Sequence, residues 1–222
     1  MAEETTIELK RAALNHYFQN LNTPQQQAVF HVNGPVLVLA GAGSGKTTAM
    51  IHRIVQMIHF GDGWIQANAS ITKEDAAYLK DYIADKQPAD LERLCSILAV
   101  QPIQPWHILA ITFTNKAANE LRSRLLQAIG EECASMLHAS TFHSACVRIL
   151  RRSISKLGYD SNFTIYDTDD SQRLMKSCIA DADVSEKQFP PRAVLTEISL
   201  AKDRMCSPEY FCIEAGSDYR KM

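Results

Sequence analysis

The spacing of apolar and polar residues along the chain predicts an α/β protein. Short apolar runs with the length of strands lie at residues 36–39, 108–113, 137–141 and 163–167. Between and after them, apolar residues recur every three or four positions, which is the pattern of an amphipathic helix. A strand followed by a helix, repeated along the chain, indicates a parallel sheet with flanking helices. The predicted helices cover residues 5–20, 46–60, 70–85, 90–100, 115–129, 145–157, 170–181, 191–204 and 208–215.

The first predicted strand is followed by a glycine-rich turn that has the form of a phosphate-binding loop. Residues 40–47 match the pattern A-x-x-x-x-G-K-T, and they follow a predicted strand and lead into a predicted helix. Converging backbone amides and a helix N-terminus suit an anion. We therefore predict a nucleoside triphosphate site in which Lys46 contacts the terminal phosphates and the Thr47 hydroxyl binds Mg²⁺. The residues assigned to the nucleotide are Ala40, Gly41, Ala42, Gly43, Ser44, Gly45, Lys46, Thr47 and Thr48.

A short helix is predicted to begin before this loop. Thr23 is a suitable N-cap, Pro24 suits the first helical position, and Gln26 completes a capping box. Gln25 has no role in that cap. Its amide offers one donor and one acceptor, which match the N6 and N7 positions of adenine. The alternative for Gln25 is an exposed glutamine without a ligand.

Aromatic and polar residues follow the second and third predicted strands. Open α/β sheets bind ligands at the carboxyl ends of their strands, so these residues are candidates for a further ligand contact. The alternatives are that Phe113 lies in the core and that Thr114 or Asn115 is a helix N-cap. The candidates are Phe113, Thr114, Asn115, Lys116, Thr141 and His143.

The helix after the third strand has a basic face formed by Arg148, Arg151 and Arg152. Such a face is usually solvated, but next to these strand ends it could also contact a phosphate backbone. The residues predicted to point inward from this helix are Val147, Leu150, Ile154 and Leu157.

The fourth apolar run ends in Asp167, which resembles the carboxylate that binds Mg²⁺ in phosphate-loop enzymes. Thr168 follows at the position where a catalytic glutamate often stands, and Thr164 interrupts the apolar run. We therefore exclude Asp167 as the Mg²⁺ ligand.

Composition narrows the class of protein further. The chain has 222 residues, is 46% hydrophobic and has a net charge of −2, so it can bury a sizeable core and any nucleic-acid site must be local. Its six cysteines include no C-x-x-C pair, which indicates buried, reduced thiols. There is no apolar run near the ~20 residues that a membrane span needs, and the acidic N-terminus is unlike a signal peptide. We therefore expect a cytoplasmic protein with no membrane association.

Taken in order, these segments resemble the N-terminal part of the UvrD/Rep/PcrA-type superfamily 1 DNA helicases. Residues 21–25 match the family's Q motif, and residues 40–47 match motif I. Residues 111–118 match motif Ia, and residues 140–144 match motif Ib. Four motifs in family order are far more specific than any one of them.

The resemblance implies a fold, a function and roles for residues. The fold is a partial RecA-like P-loop NTPase sheet over 1–144, with the start of an inserted, all-helical DNA-binding subdomain over 145–222. The function is the ATP- and single-stranded-DNA-binding part of an ATP-dependent 3′–5′ helicase, with ATP and Mg²⁺ as cofactors and single-stranded and duplex DNA as partners. Gln25 then reads adenine, and Lys46 and Thr47 hold the phosphates and Mg²⁺. The residues implied to face single-stranded DNA are Phe113, Thr114, Asn115, Thr141 and His143.

Two features depart from the family pattern. Residues 62–105 form a helical excursion where relatives have far fewer residues. The Asp-Glu pair that binds Mg²⁺ and activates water is absent from the 222 residues, so we expect a fragment that does not hydrolyse ATP alone. The alternatives are a nucleotide-dependent DNA-binding module without hydrolysis and a P-loop phosphotransferase, which would need an arginine-bearing lid.

Overall fold

The computed structural model describes residues 2–66 and 70–215. Three residues of the predicted excursion, 67–69, and the chain end, 216–222, therefore lie outside the described residues. Contacts between residues divide the chain into two units, Met1–Leu150 and Arg151–Met222. The predicted boundary at 144/145 between a nucleotide-binding domain and an inserted subdomain stays a prediction.

The first unit begins with three helices. Helix α1 spans Ala2–Tyr17, α2 spans Thr23–Phe30, and α3 spans Lys46–Val55 and continues as a π-helical turn, Gln56–Phe60. This turn ends at Gly61, where a side chain is impossible because a Cβ would lie 2.2 Å from the carbonyl oxygen of Val100. The helical spacing of apolar residues places Leu14, Phe18, Leu21, Ile51, Ile54, Val55 and Ile58 toward the core, and all of them are buried except Ile58, which is half-buried.

The predicted excursion contains two helices, α4 over Lys73–Ile83 and α5 over Leu91–Leu98, and a 3₁₀ turn at Pro105–His107. Thr72 stands three residues before Asp75, a spacing typical of a helix N-cap, and its hydroxyl accepts a hydrogen bond from the Asp75 amide at 3.0 Å. The excursion packs on α1 and on the π-helical turn of this unit. Its residues Tyr78, Leu79, Tyr82, Leu94, Ile97 and Leu98 belong to the same hydrophobic core as α1 and α3.

A two-stranded parallel sheet lies at the other end of this unit. Strand β1, Leu109–Thr112, pairs with β2, His138–Thr141, in a register that sets Thr112 opposite Thr141. Helix α6, Asn115–Met136, connects the two strands and covers one face of the sheet. It extends beyond the predicted end, with a kink at Gly130. The buried contacts on that face come from Ala110, Ala139, Ala118, Leu121, Leu125 and Ile129.

The predicted strand at residues 36–39 is wrong. A strand needs partners for its backbone N–H and C=O groups, and among the described residues only β1 and β2 form a ladder. Without a neighbouring strand the segment stays on the surface, with Leu37 82% and Leu39 85% exposed. Leu109 and Ile111 of β1 are also exposed, on the face opposite α6. The chain is thus a helix-rich α/β protein with a short parallel sheet.

Helix α7, Phe142–Ser153, follows β2 and leads into a 3₁₀ turn, Ile154–Leu157. The prediction that its apolar stripe points inward is wrong. Ala145 is buried, whereas Leu150 is exposed and Leu157 is 71% exposed. Val147 and Ile154 are half-buried.

Up to residue 215, where the described part of the chain ends, the second unit contains three α-helices close to their predicted positions. They are α8 over Thr168–Asp181, α9 over Pro191–Asp203 and α10 over Pro208–Ala215, and α8 packs on α9. The predicted strand at 163–167 is not formed. Among the described residues, no helix combines the length and the apolar character that crossing a bilayer requires.

All six cysteines are free, as the sequence indicated. Their predicted burial is wrong, because Cys178 and Cys212 are exposed and the other four are half-buried.

Candidate nucleotide and nucleic-acid sites

The N-terminus of α2 is capped one residue earlier than predicted. Asn22, not Thr23, is the N-cap, and its side-chain oxygen accepts a hydrogen bond from the Gln25 amide at 3.0 Å. The Gln25 side-chain oxygen accepts in turn from the Asn22 amide at 3.1 Å, which completes a capping box. Gln26 donates instead to the Phe18 carbonyl at 3.1 Å. The residue that the sequence left without a structural role is therefore part of the cap.

The other end of the Gln25 amide contacts the glycine-rich loop. Its Nε2 donates to the Ser44 carbonyl at 3.0 Å. The next residue, Gly45, is the N-cap of α3 and has φ of 80°, in the left-handed region. A Cβ at this position would lie 2.5 Å from Gln25 Nε2. The backbone conformation therefore favours glycine here, and a Cβ would also displace the Gln25 amide.

Lys46 is folded over the loop. Its Nζ donates to the carbonyls of Ala40 at 3.0 Å and Gly41 at 2.5 Å. The Ser44 hydroxyl donates to the same Gly41 carbonyl at 2.8 Å. The first amides of α3 have no side-chain cap, so they are available to an anion at the helix N-terminus. The loop therefore combines an exposed cation, helix-end amides and the exposed hydroxyl of Thr47.

A cavity of about 320 Å³ lies beside Lys46. Arg53 lines this cavity and connects α3 to the end of α2, since it donates to the carbonyls of Ala28 at 2.6 Å and Val32 at 3.4 Å. Burial lowers the pKa of this guanidinium. The cavity is lined by Ala28, Val36, Val38, Lys46, Ala49, Met50 and Arg53.

The two strands bring two aromatic residues to one edge of the sheet. Because Thr112 is paired with Thr141, the residues that follow them, Phe113 and Phe142, both lie at the carboxyl ends of neighbouring strands. Phe113 is 94% exposed and Phe142 58% exposed, so the alternative that places Phe113 in the core is wrong. The sequence reasoning missed Phe142. Its position directly after a strand, like that of Phe113, was the available signal.

The polar candidates at this edge differ in how far they are open to a ligand. The Thr114 hydroxyl caps α6 by accepting from the Ala117 amide at 3.2 Å, which confirms the N-cap alternative. Thr141 is buried, and its hydroxyl bonds to the Ser144 hydroxyl at 2.9 Å. Asn115, Lys116 and His143 are exposed.

Two of the three arginines of the predicted basic face, all on α7, contact other residues of the protein. Arg148 Nη1 lies 2.7 Å from His138 Nδ1. Arg151 donates to the Ser161 carbonyl at 2.9 Å, and its guanidinium lies 4.8 Å from the ring of Phe163. Arg152 is exposed.

Asp167 is the N-cap of α8. Its carboxylate accepts a hydrogen bond from the Asp170 amide at 2.8 Å, and Asp170 completes a capping box. This cap gives Asp167 a structural role that needs no metal ion. Across residues 2–66 and 70–215, no group of three or more His, Cys, Asp or Glu side chains could hold a metal ion. The exposed Thr47 hydroxyl beside the helix-end amides fits one oxygen ligand of a phosphate-bound Mg²⁺.

The fold and the loop together define a helix-rich α/β protein with a phosphate-loop sequence at the start of a helix. Residues 21–70 and 91–221 match the model of the UvrD/REP helicase N-terminal domain. The chain belongs to this family, and the resemblance seen in the motifs is confirmed. The unmatched residues 71–90 lie within the predicted excursion and include α4.

Three relatives show the extent of the similarity, and each is named ATP-dependent DNA helicase PcrA. The protein from Bacillus subtilis is 38% identical over 205 residues, covering 92% of this chain and 22% of the relative. Those from Staphylococcus epidermidis and Staphylococcus aureus are 35% and 36% identical, covering 94% and 89% of this chain and 23% and 21% of the relatives. The chain thus spans about a fifth of the length of these relatives. The match favours the helicase interpretation over the phosphotransferase and the non-hydrolysing module.

Proposed function

We propose that this chain is the ATP- and DNA-binding part of an ATP-dependent 3′–5′ DNA helicase with a RecA-like core. The names of its relatives and the family match support the activity. The observation that carries the proposal is the loop at the start of α3, where an exposed lysine lies over backbone carbonyls that a triphosphate would displace from it.

In this proposal the loop binds the β- and γ-phosphates. Lys46 exchanges the carbonyls of Ala40 and Gly41 for phosphate oxygens, and the helix-end amides of residues 46–48 contribute further donors. Thr47 supplies one oxygen ligand to Mg²⁺, which when bound neutralises charge on the phosphates. Gln25 contacts the loop through the Ser44 carbonyl, and its role toward adenine is proposed from the family's Q motif.

The second part of the proposal is a path for single-stranded DNA across the carboxyl ends of β1 and β2. The exposed ring of Phe113 offers a surface on which a base can stack. Asn115, Lys116 and His143 supply polar and charged contacts beside it, and Thr141 positions the turn that presents His143. That the protein also binds duplex DNA and moves in the 3′–5′ direction is proposed only because the chain belongs to this family.

Replacing Lys46 with alanine tests the nucleotide site. In the full-length protein that contains this chain, Lys46→Ala should remove almost all DNA-stimulated ATP turnover while leaving the fold intact, because it deletes the cation of the loop. The matched control is Lys73→Ala, which removes a lysine from the same first position of another helix, α4. Near-normal turnover by the Lys46 variant would contradict the assignment.

A further inference from the structure

The Gln25 side chain connects two parts of the chain that are distant in sequence. Its oxygen belongs to the capping box of α2, and its Nε2 belongs to a hydrogen bond with Ser44, 19 residues away. Both ends of the amide are therefore used within the protein. A base bound by this amide would have to compete with the Ser44 carbonyl and the Asn22 amide.

The Ser44 carbonyl belongs to the peptide group that joins Ser44 to Gly45. This peptide immediately precedes Lys46, and its neighbour Gly45 accepts the first hydrogen bond within α3, from the Ala49 amide at 2.9 Å. Gly45 is also the point where the backbone enters the left-handed region. A contact that fixes this peptide therefore fixes the direction of the helix-end amides that follow it.

We propose that Gln25 is a positioning residue of the phosphate loop, which holds the Ser44–Gly45 peptide so that the amides and Lys46 face the triphosphate. This role rests on the proposed function of the loop. It is separate from adenine recognition, because it acts on the polyphosphate whatever base is attached.

The test measures how tightly the full-length protein binds ATP, GTP and inorganic tripolyphosphate. Gln25→Ala should weaken binding of all three by a similar factor, about three- to tenfold, which is the usual net effect of one lost hydrogen bond. The matched control is Gln26→Ala, since Gln26 is on the same helix and donates to a backbone carbonyl away from the loop. That variant should leave tripolyphosphate binding unchanged.

The result that overturns the proposal is an unchanged affinity of Gln25→Ala for tripolyphosphate, with only the preference for ATP over GTP lost. Gln25 would then act on the base alone. A loss common to all three ligands with an additional loss for ATP supports the positioning role and adds adenine recognition to it.

A second measurement uses the 222-residue chain without any ligand. Backbone order parameters from NMR relaxation should fall at Ser44 and Gly45 in Gln25→Ala, from the ~0.85 of rigid backbone towards ~0.6, and should not change in Gln26→Ala. Unchanged values in Gln25→Ala overturn the positioning role. A failure of the proposed function is seen separately, as unchanged nucleotide binding in Lys46→Ala.

Discussion

At the scale of single residues, Phe113 stands out because almost its entire ring is in contact with solvent. An aromatic residue directly after a short strand would normally gain from burial, and exposure of a ring next to a second exposed ring, Phe142, is unfavourable. The polar neighbours Asn115 and Lys116 make this edge of the sheet suited to a base and its phosphate. The ring is therefore available for stacking.

Phe113→Ala should weaken binding of single-stranded DNA to the full-length protein by one to two decades, because stacking is worth ~1–3 kcal/mol per base. The melting temperature should change little, since the ring contributes little buried area. Trp106 provides the matched control, because it is an exposed aromatic residue that precedes the start of β1. Trp106→Ala should leave DNA affinity unchanged, and a Phe113 variant that loses stability but not affinity would contradict the stacking role.

Through Tyr82, we expect the free energy of unfolding to depend on pH in the alkaline range. Burial, followed by the effects of Tyr17, Tyr78 and Asp85, raises its pKa from 10.0 to about 12. In the unfolded chain the phenol loses its proton first, so its contribution to stability is complete below pH 10 and is lost as the pH rises towards 12. Tyr82→Phe should reduce this alkaline loss of unfolding free energy, as measured by denaturant titration between pH 9 and 12. An identical pH dependence in both proteins would contradict the assignment.

At the scale of elements, the first unit contains segments that match the family model and segments that do not. Helix α4 lies in the unmatched residues 71–90 and packs on α1, which precedes the matched residues. The rings of His16 and Tyr82 pack edge to face, with 4.7 Å between their centroids. The side chain of Leu79, also on α4, is fully buried. The excursion is therefore part of the core that supports α3 and its loop.

Leu79→Ala should lower the free energy of unfolding by ~2–5 kcal/mol, because it leaves a cavity in that core. The adjacent exposed residue Lys80 provides the control, and Lys80→Ala should stay within ~0.5 kcal/mol of the original protein. Chemical denaturation of the 222-residue chain measures both. Equal stability of the two variants would mean that α4 is only peripheral.

At the scale of the whole molecule, the glycine-rich loop accounts for only some of the groups that ATP hydrolysis needs. In the proposed function Lys46 and Thr47 bind phosphate and Mg²⁺, but Asp167 is used as a helix cap, and no Asp-Glu pair occurs in the 222 residues. Hydrolysis also needs a group that positions water and arginines that stabilise the transition state, which contribute ~10³–10⁵ in rate.

We expect the 222-residue chain to bind nucleotide weakly and not to hydrolyse it. The measurement is ATP turnover with and without single-stranded DNA, against Lys46→Ala of the same chain as the blank. DNA-stimulated turnover above that blank would contradict the prediction. Asp167→Asn would then show whether this carboxylate takes part.

The sequence by itself determined the features that depend on neighbouring residues along the chain. The glycine-rich turn, the positions of most helices, and the caps at Thr72 and Thr114 follow from backbone conformation and from hydrogen bonds over three or four residues. The inward residues of α6 were predictable for the same reason, since a helical period is local. The motifs within these segments were also sufficient to indicate the family.

The tertiary structure alone decided which of these segments find partners. An apolar run becomes a strand only where another strand pairs with it, so residues 36–39 stay exposed while residues 109–112 pair with residues 138–141. The pairing of these two strands also makes Phe113 and Phe142 neighbours. The apolar stripe of α7 is exposed because a helical period shows which residues share a face, but not whether another element covers that face. The contact of Gln25 with Ser44 belongs here as well, because a hydrogen bond between residues 19 positions apart has no local signature.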